Sequence, residues 1–382
     1  MAEVIEINDV RELASVRLAW NALLPDTPGA SLFHTADWVE LYWKHFGAGQ
    51  RLRVLVVLSC GQPIGIVPLC VRLERFRVGP VRVLTYPLHD WGTWYGPIGP
   101  NVAATMLMAM RHLRERPRDW DLLELRWTDD NQSDRARTFR AMRAVGFRPH
   151  RAAYQETSVV QLDGRFSDYW ESRASKWRNN LRRAERRLEK FGDVQYVRHR
   201  PESLTHGDGE PRWDLYNACC TIAGKSWQGQ LADNTTLSSK RVGRFLREAH
   251  AVAARLGMLD MNLLAVDGQP AAFAYNYHFD SRVQGLRAGY NRALADAGTG
   301  SVVLARAIED SFARGDAVYD LGTGWREYKQ RLQTNVQTSY RLTHYRFTGL
   351  KSQGVRLSRW LKRSAALRAV RHKQGVKNEV AK

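Results

Sequence analysis

Two stretches of the chain follow one plan, and that plan constrains the fold more than any other feature. Residues 51–76, RLRVLVVLSCGQPIGIVPLCVRLERF, read as strand, Gly-containing turn and strand, followed later by the helical run AATMLMAMRHLRER and the strand WDLLELRWT. Residues 257–291, GMLDMNLLAVDGQPAAFAYNYHFDSRVQGLRAGYN, repeat the hairpin, followed by the helix SVVLARAIEDSFARG and the strand AVYDLGTGW. Alternating apolar residues bounded by turn formers give the strands, and 3.6-residue periodicity gives the helices. The shared GQP at Gly61–Pro63 and Gly268–Pro270, in the same order of elements, implies a duplicated α/β unit.

Between the two copies lies a helix-rich insertion. Phe166–Phe191 reads as one helix, and PRWDLYNACCTIAGKSW and SKRVGRFLREAHAVAARLG read as two more. In the first, Trp177, Leu181, Ala184, Leu188 and Phe191 fall on one stripe at 100° per residue. Ser172 or Ser175 is placed to cap its start and Gly192 to end it. Beside the stripe Lys176, Arg183, Arg187 and Lys190 form a one-sided basic ridge, with Glu185 and Glu189 on the opposite flank. Such a ridge is either a solvated face or a phosphate site, because guanidinium forks pair bidentately with phosphate oxygens.

The net charge of +19 over 382 residues favours anionic partners, and it is concentrated. Residues 173–190 carry eight bases against two acids, and 351–382 carry ten against one. No helix-turn-helix, zinc or RNP-type pattern accompanies the basic ridge, which weighs against nucleic-acid recognition by a standard module. Cys60, Cys70, Cys219 and Cys220 lack metal-ligand spacing, so no metal is expected and the thiols read as reduced. With no signal-like or membrane-spanning run, a cytoplasmic protein is the expectation.

A second phosphate candidate is AGYNRALADAGTGSVVLARAI. A strand ends near Tyr290, a loop carries Gly298 and Gly300, and a helix opens at Ser301, so bare backbone N–H groups at its start would face an anion.

Four segments together resemble the tandem GNAT-fold acyltransferases of the CelD/BcsL group, relatives of the Fem-type aminoacyltransferases. They are SKWRNNLRRAERRLEKFG, GKSWQGQ (Gly224–Gln230), the hairpin-to-helix segment ending SVVLARAI, and YDLGTGWREYKQRL, spread over about Tyr154–Tyr345. Asn291, Thr299, Gln228 and Ala295 depart from the residues usual in that group. The resemblance implies an α/β fold of tandem GNAT-like domains, each a mixed central sheet flanked by helices, with the basic helices inserted. The expected division is 1–153 for the first domain, 154–348 for the second with its basic arm at 166–191, and 349–382 for a basic tail.

What the resemblance implies for chemistry is transfer from acetyl-CoA or another acyl-CoA to an amine or hydroxyl. It assigns Gly298, Thr299, Gly300 and Ser301 to the donor phosphates, Asp320 as base, and Tyr290 as acid for the leaving thiolate. Asp320 is equally suited to capping the next turn, and Tyr290 to packing. Lys329 is a candidate for neutralising phosphate or positioning the acceptor. Lys176, Arg183 and Arg187 become candidate holders of an acceptor phosphate, with Trp227 flooring an acyl or sugar pocket. The cluster His89–Gly99, with Trp94, is a candidate opposite wall, and His89 and Asp90 are an alternative base pair.

Ser352–Val370 puts Leu357, Trp360, Leu361 and Leu367 near one helical face, and Arg359, Lys362 and Arg363 on the other. This is the pattern of a helix lying on an anionic membrane face. The leading expectation is acyl transfer to a sugar, sugar nucleotide or lipid-linked sugar in exopolysaccharide synthesis. A Fem-like transferase drawing on aminoacyl-tRNA, and a non-catalytic accessory protein, are the alternatives.

Overall fold

A computed structural model describes residues 2–88, 90–226, 236–324, 327–362 and 364. The first half runs β1 (Ala2–Ile7), α1 (Leu13–Leu23), α2 (Ala36–Phe46), β2 (Arg51–Ser59), β3 (Gln62–Phe76) and β4 (Gly79–Thr85). It closes with α3 (Val102–Glu115), β5 (Leu122–Thr128), α4 (Arg137–Ala144) and β6 (Pro149–Gln161). After α5 (Phe166–Glu171) and α6 (Ser175–Glu189), the second half repeats that order. It contains β7 (Val194–His199), α7 (Trp213–Lys225), α8 (Gly243–Arg255), β8 (Leu259–Val266), β9 (Gln269–Phe279) and β10 (Arg282–Tyr290). Then follow α9 (Thr299–Ala313), β11 (Val318–Thr323), α10 (Glu327–Leu332) and β12 (Asn335–Tyr345), with α11 over 350–362.

The strands form one mixed sheet in the order β1-β2-β3-β4-β5-β12-β6-β11-β10-β9-β8-β7. Each half gives its last strand to the other, since β12 lies against β5 and β6 lies against β11. The expected boundary at 153/154 falls inside β6, which pairs with two strands of the second half. Duplication extends to the turns. Cys60–Gly61 and Asp267–Gly268 both adopt positive φ, the geometry of a two-residue hairpin loop matched to strand twist. Both hairpins also carry a bulge at the same step, at Val57/Leu58 and at Leu264/Ala265.

The halves share a core. Trp38 meets Phe245 at 5.6 Å and Phe33 meets Tyr277 at 5.7 Å, edge to face, so neither half buries its apolar surface alone. His45 on α2 bonds Glu248 on α8 at 2.9 Å across the same seam.

The basic insertion is two helices rather than one. Ser172 turns its hydroxyl back to the Tyr169 carbonyl at 2.6 Å, and α6 restarts with Ala174, not a serine, at its cap. Arg173, in the break, donates to the Gln333 carbonyl at 2.5 Å and lies over the Tyr169 ring. Trp177, Leu181, Ala184 and Leu188 are buried as the periodicity requires, but Phe191 lies past the end of α6 and is 60% exposed. Their burial contributes at most about 5–8 kcal/mol, gross of ordering entropy.

Candidate active site

Parallel β10 and β11 are paired only over Arg282–Gln284 against Val318–Asp320, after which they diverge. The divergence has a local cause: β10 bulges against β9 between Gly285 and Arg287, and β11 is irregular against β6 between Asp320 and Thr323. Glycine is required at 285, because a Cβ there would stand 2.4 Å from the Asp320 carbonyl oxygen. The first half splays in the same way, with β4 and β5 paired only over Val83–Leu84 and Leu122–Leu123. Both openings face one cavity of about 520 Å³, walled by Thr85, Trp127, Tyr154, Gln155, Arg287 and Thr323 among others.

Asp320 stands at the point of divergence, 2% exposed. Its Oδ1 accepts from the Gly322 N–H at 2.6 Å and its Oδ2 from the Trp94 indole N–H at 3.1 Å. Burial pushes the carboxyl up to about 6, against the opposing pull of these two donors and of Arg282 and Lys329. A carboxylate in that range is poised to accept a proton near neutrality. Directly opposite it in the β10/β11 register, Gln284 donates to the Thr93 hydroxyl at 2.6 Å. The Trp- and Gly-rich loop of the first half thus holds Asp320 and its register partner in the second.

Trp94 holds the Asp320 carboxyl instead of presenting a face to the 520 Å³ cavity. Its backbone sits at φ +45, and its ring packs on Trp127, itself at φ +67, with centroids 5.6 Å apart. Lys329 is 4% exposed, and its Nζ donates to the Gly322 and Thr323 carbonyls at 2.9 and 2.5 Å. It therefore fixes the turn that supplies a donor to Asp320, which an exposed helix lysine could not do.

Tyr290 lies elsewhere. It is six residues along β10 from Gln284, the partner of Asp320, or about 20 Å at strand rise, and its ring covers Gly300. That separation removes it as the group that would protonate a leaving thiolate beside Asp320. Tyr154, unlike Tyr290, lines the cavity wall.

Gly298–Ser301 form the start of α9, with Gly298 at φ +75 as its cap. The Thr299 hydroxyl is buried with no hydrogen-bond partner among the described residues. A Cβ on Gly298 would stand 3.0 Å from Ala184 of α6, so the basic arm crosses this helix start. The Arg306–Glu185 pair at 3.6 Å ties the same helices. α6 thus meets the α9 start at Ala184, while Arg183 and Arg187, with Asn180, Arg186 and Lys190, surround a hollow that α6 alone lines. Lys176 is not part of that hollow, and none of these side chains lines the large cavity.

The cavity draws its positive charge from Arg72, Arg126, Arg241 and Arg287, which no motif had marked. Arg72 is held by Glu74 at 2.6 Å, and Arg126 by Glu124 at 2.7 Å. Arg287, on the bulge, lies 4.3 Å over the Trp91 ring, and burial lowers its guanidinium to about 10, still protonated at neutral pH. Asp90 lines the same wall and acts on Arg287 electrostatically. Strand alternation alone does not reveal Arg287, because the bulge shifts the register of the second hairpin at that point. His89, Trp227 and Gln228 lie outside the described residues. Among the described residues no group of three or more His, Cys, Asp or Glu is placed to hold a metal, and no helix is long and apolar enough to cross a membrane.

Residues 175–330 match the family described as Acetyltransferase (GNAT) domain. This segment is similar to a GNAT acetyltransferase domain. It encloses α6, the α9 start, the β10/β11 splay and Lys329, and it makes the protein an acyltransferase. No curated protein sequence matches the chain. Among solved structures, FemX superposes with a TM-score of 0.56 at 11% identity, covering 89% of this chain and 96% of that one. The C-terminal domain of a putative lysylphosphatidylglycerol synthetase from Agrobacterium fabrum gives 0.54 at 10% identity, covering 86% and 91%. A conserved protein of unknown function from Bacteroides thetaiotaomicron gives 0.51 at 11%, covering 90% and 100%. At such identities these likenesses establish the fold, across both halves of the chain.

Proposed function

We propose that the protein transfers an acyl group from acyl-CoA, acetyl-CoA being the simplest donor, to an amine or hydroxyl of an anionic acceptor. The observation that carries this reading is the buried Asp320, its carboxyl pushed up to about 6, at the mouth of the β10/β11 splay, at the far end of β10 from the glycine-capped start of α9. A donor lying along β10 would place its phosphates on the N–H groups of Thr299 and Gly300, next to Arg183 and Arg187, and its reactive carbonyl at the bulge. CoA would supply the thioester as leaving group; the chain's own residues orient it and move the proton.

Asp320 takes the proton from the attacking amine or hydroxyl. Because it is 2% exposed, the acceptor meets it where Trp94 tilts aside, or through one bridging water. Arg287 over Trp91, with Arg241, would hold a negatively charged part of the acceptor within the cavity. A sugar phosphate, sugar nucleotide or lipid-linked sugar of cell-surface polysaccharide synthesis fits that wall, in keeping with the CelD/BcsL resemblance. The net charge and the arm across α9 favour one second reading, an aminoacyl-tRNA donor.

Mass spectrometry of small molecules that co-purify with the protein tests the donor. A bound CoA thioester is expected. Tightly bound tRNA with no CoA species would overturn the reading.

A further inference from the structure

A second basic site lies at the other end of the sheet. Arg114 at the end of α3, Arg118, Arg148, Arg346 and Arg356 converge with His150 and His344 on a cleft of about 810 Å³. Other inward-turned arginines are matched by acids: Arg198 and Arg200 bind Asp260 at 2.6 Å, and Arg359 binds Glu124 at 2.6 Å. In this cleft, none of the five makes an ion pair among the described residues, and no acid lines it. The charges act against each other. Burial, then Arg114 and Arg346, lower Arg118; burial and Arg118 lower His344 to about 4. Five uncompensated guanidinium groups around one hollow favour an anion that the chain does not itself provide.

The cleft is bordered by an apolar strip. α11 buries Ser352 and Val355 and turns Arg359 inward to Glu124 and Tyr345, so Arg359 is an anchor and not part of the outer basic face. The opposite side then carries Leu350 (92% exposed), Leu357 (57%), Trp360 (60%) and Leu361 (53%), with Phe347 (83%) just before the helix. Arg356 and Gln353 of the cleft share a stripe with Trp360 at i, i+3 and i+7 spacing. Isolated exposed apolar residues need no explanation, but five beside an acid-free arginine cleft do. Along β5 the cleft lies about 17 Å from the 520 Å³ cavity, since Leu122 pairs with Tyr345 of the cleft and Trp127 lines the cavity.

We infer that this face docks on an anionic phospholipid bilayer, with lipid phosphates in the five-arginine cleft and Leu350, Leu357, Trp360 and Leu361 in the headgroup–acyl boundary. The charge complementarity fixes the sign of the surface, and the apolar strip distinguishes a bilayer from a soluble anion. Docked this way, the protein keeps its cavity clear of the membrane plane, on the far end of the sheet.

The test is co-sedimentation of the full chain with phosphatidylcholine vesicles containing or lacking phosphatidylglycerol. Binding is expected only where phosphatidylglycerol is present. The triple variant R114Q/R118Q/R356Q should weaken it roughly 100-fold, at about a factor of five for each basic group at the surface. R114K/R118K/R356K should retain it, because a bilayer reads charge and not fork geometry. W360A/L361A should weaken vesicle binding while leaving binding of inorganic pyrophosphate unchanged. Equal binding to pure phosphatidylcholine would overturn the inference, as would loss of binding in the lysine variant. Tight, arginine-dependent binding of pyrophosphate or tRNA with no vesicle binding would also overturn it.

Discussion

Replacing Trp94 by Phe keeps the ring stack on Trp127 and removes one donor from the Asp320 carboxylate. That hydrogen bond pulls the Asp320 carboxyl down against burial, so its loss moves the group further up from about 6. A bond to a charged group contributes about 1.5–2 kcal/mol at its weaker end, or roughly 1–1.5 pKa units. If Asp320 must be ionised to act, activity rises with pH through its titration. The variant should lose about tenfold at pH 6, two- to fourfold at pH 7 and almost nothing at pH 9. Thiol release from acyl-CoA, measured as kcat/KM against pH, reads this shift. A second readout needs no acceptor. A carboxyl raised above its unfolded value near 3.8 contributes stability that is present at low pH and lost as pH rises through about 6. The stability deficit of W94F should therefore grow by about 1.5–2 kcal/mol between pH 4 and pH 9 in urea denaturation. A uniform loss of activity at every pH, with a pH-independent deficit, would refute the assignment of Asp320 as base and Trp94 as its positioner.

Asp320→Asn should lower kcat by about 10²–10⁴ while leaving CoA binding within a factor of two to three, as judged by calorimetry. Substituting Arg183 and Arg187 together by Gln should raise the KM for acyl-CoA roughly tenfold with little change in kcat, because Ala184 between them packs on the start of α9; a rise confined to the acceptor KM would move them to the acceptor side. Gly285→Ala should cost about 1–3 kcal/mol by forcing β10 off the Asp320 carbonyl, with activity falling in parallel; a neutral variant would show that the splay tolerates a side chain.

Much of the architecture was legible in the sequence because it is written twice. The paired hairpins fixed element order, and their matching Cys60–Gly61 and Asp267–Gly268 turns with equivalent bulges show why that reading holds. The exchange of β6 and β12 was not legible, since both neighbours of each strand are apolar enough to accept it and no local signal names the partner. Asp320 was visible as an acid at a strand end, but its tie to Trp94 spans 226 positions and depends on the two halves closing on each other. Arg287 was hidden for a similar reason: only the bulge turns it over Trp91. Tyr290 was misplaced because strand position says which end of β10 a residue occupies, not where a neighbouring strand parts from it. The tail helix misled for Arg359, whose partner Glu124 lies in the first half.

The central claim is that the α9 start and the splay together accept an acyl-CoA. The direct measurement is the unfolding temperature of the protein with and without CoA and acetyl-CoA. Ligand at a hundredfold excess over its Kd should stabilise the fold by about 2.7 kcal/mol, with most of that shift lost in R183Q/R187Q. No shift with either ligand, alongside steeply salt-dependent binding of aminoacyl-tRNA, would contradict it.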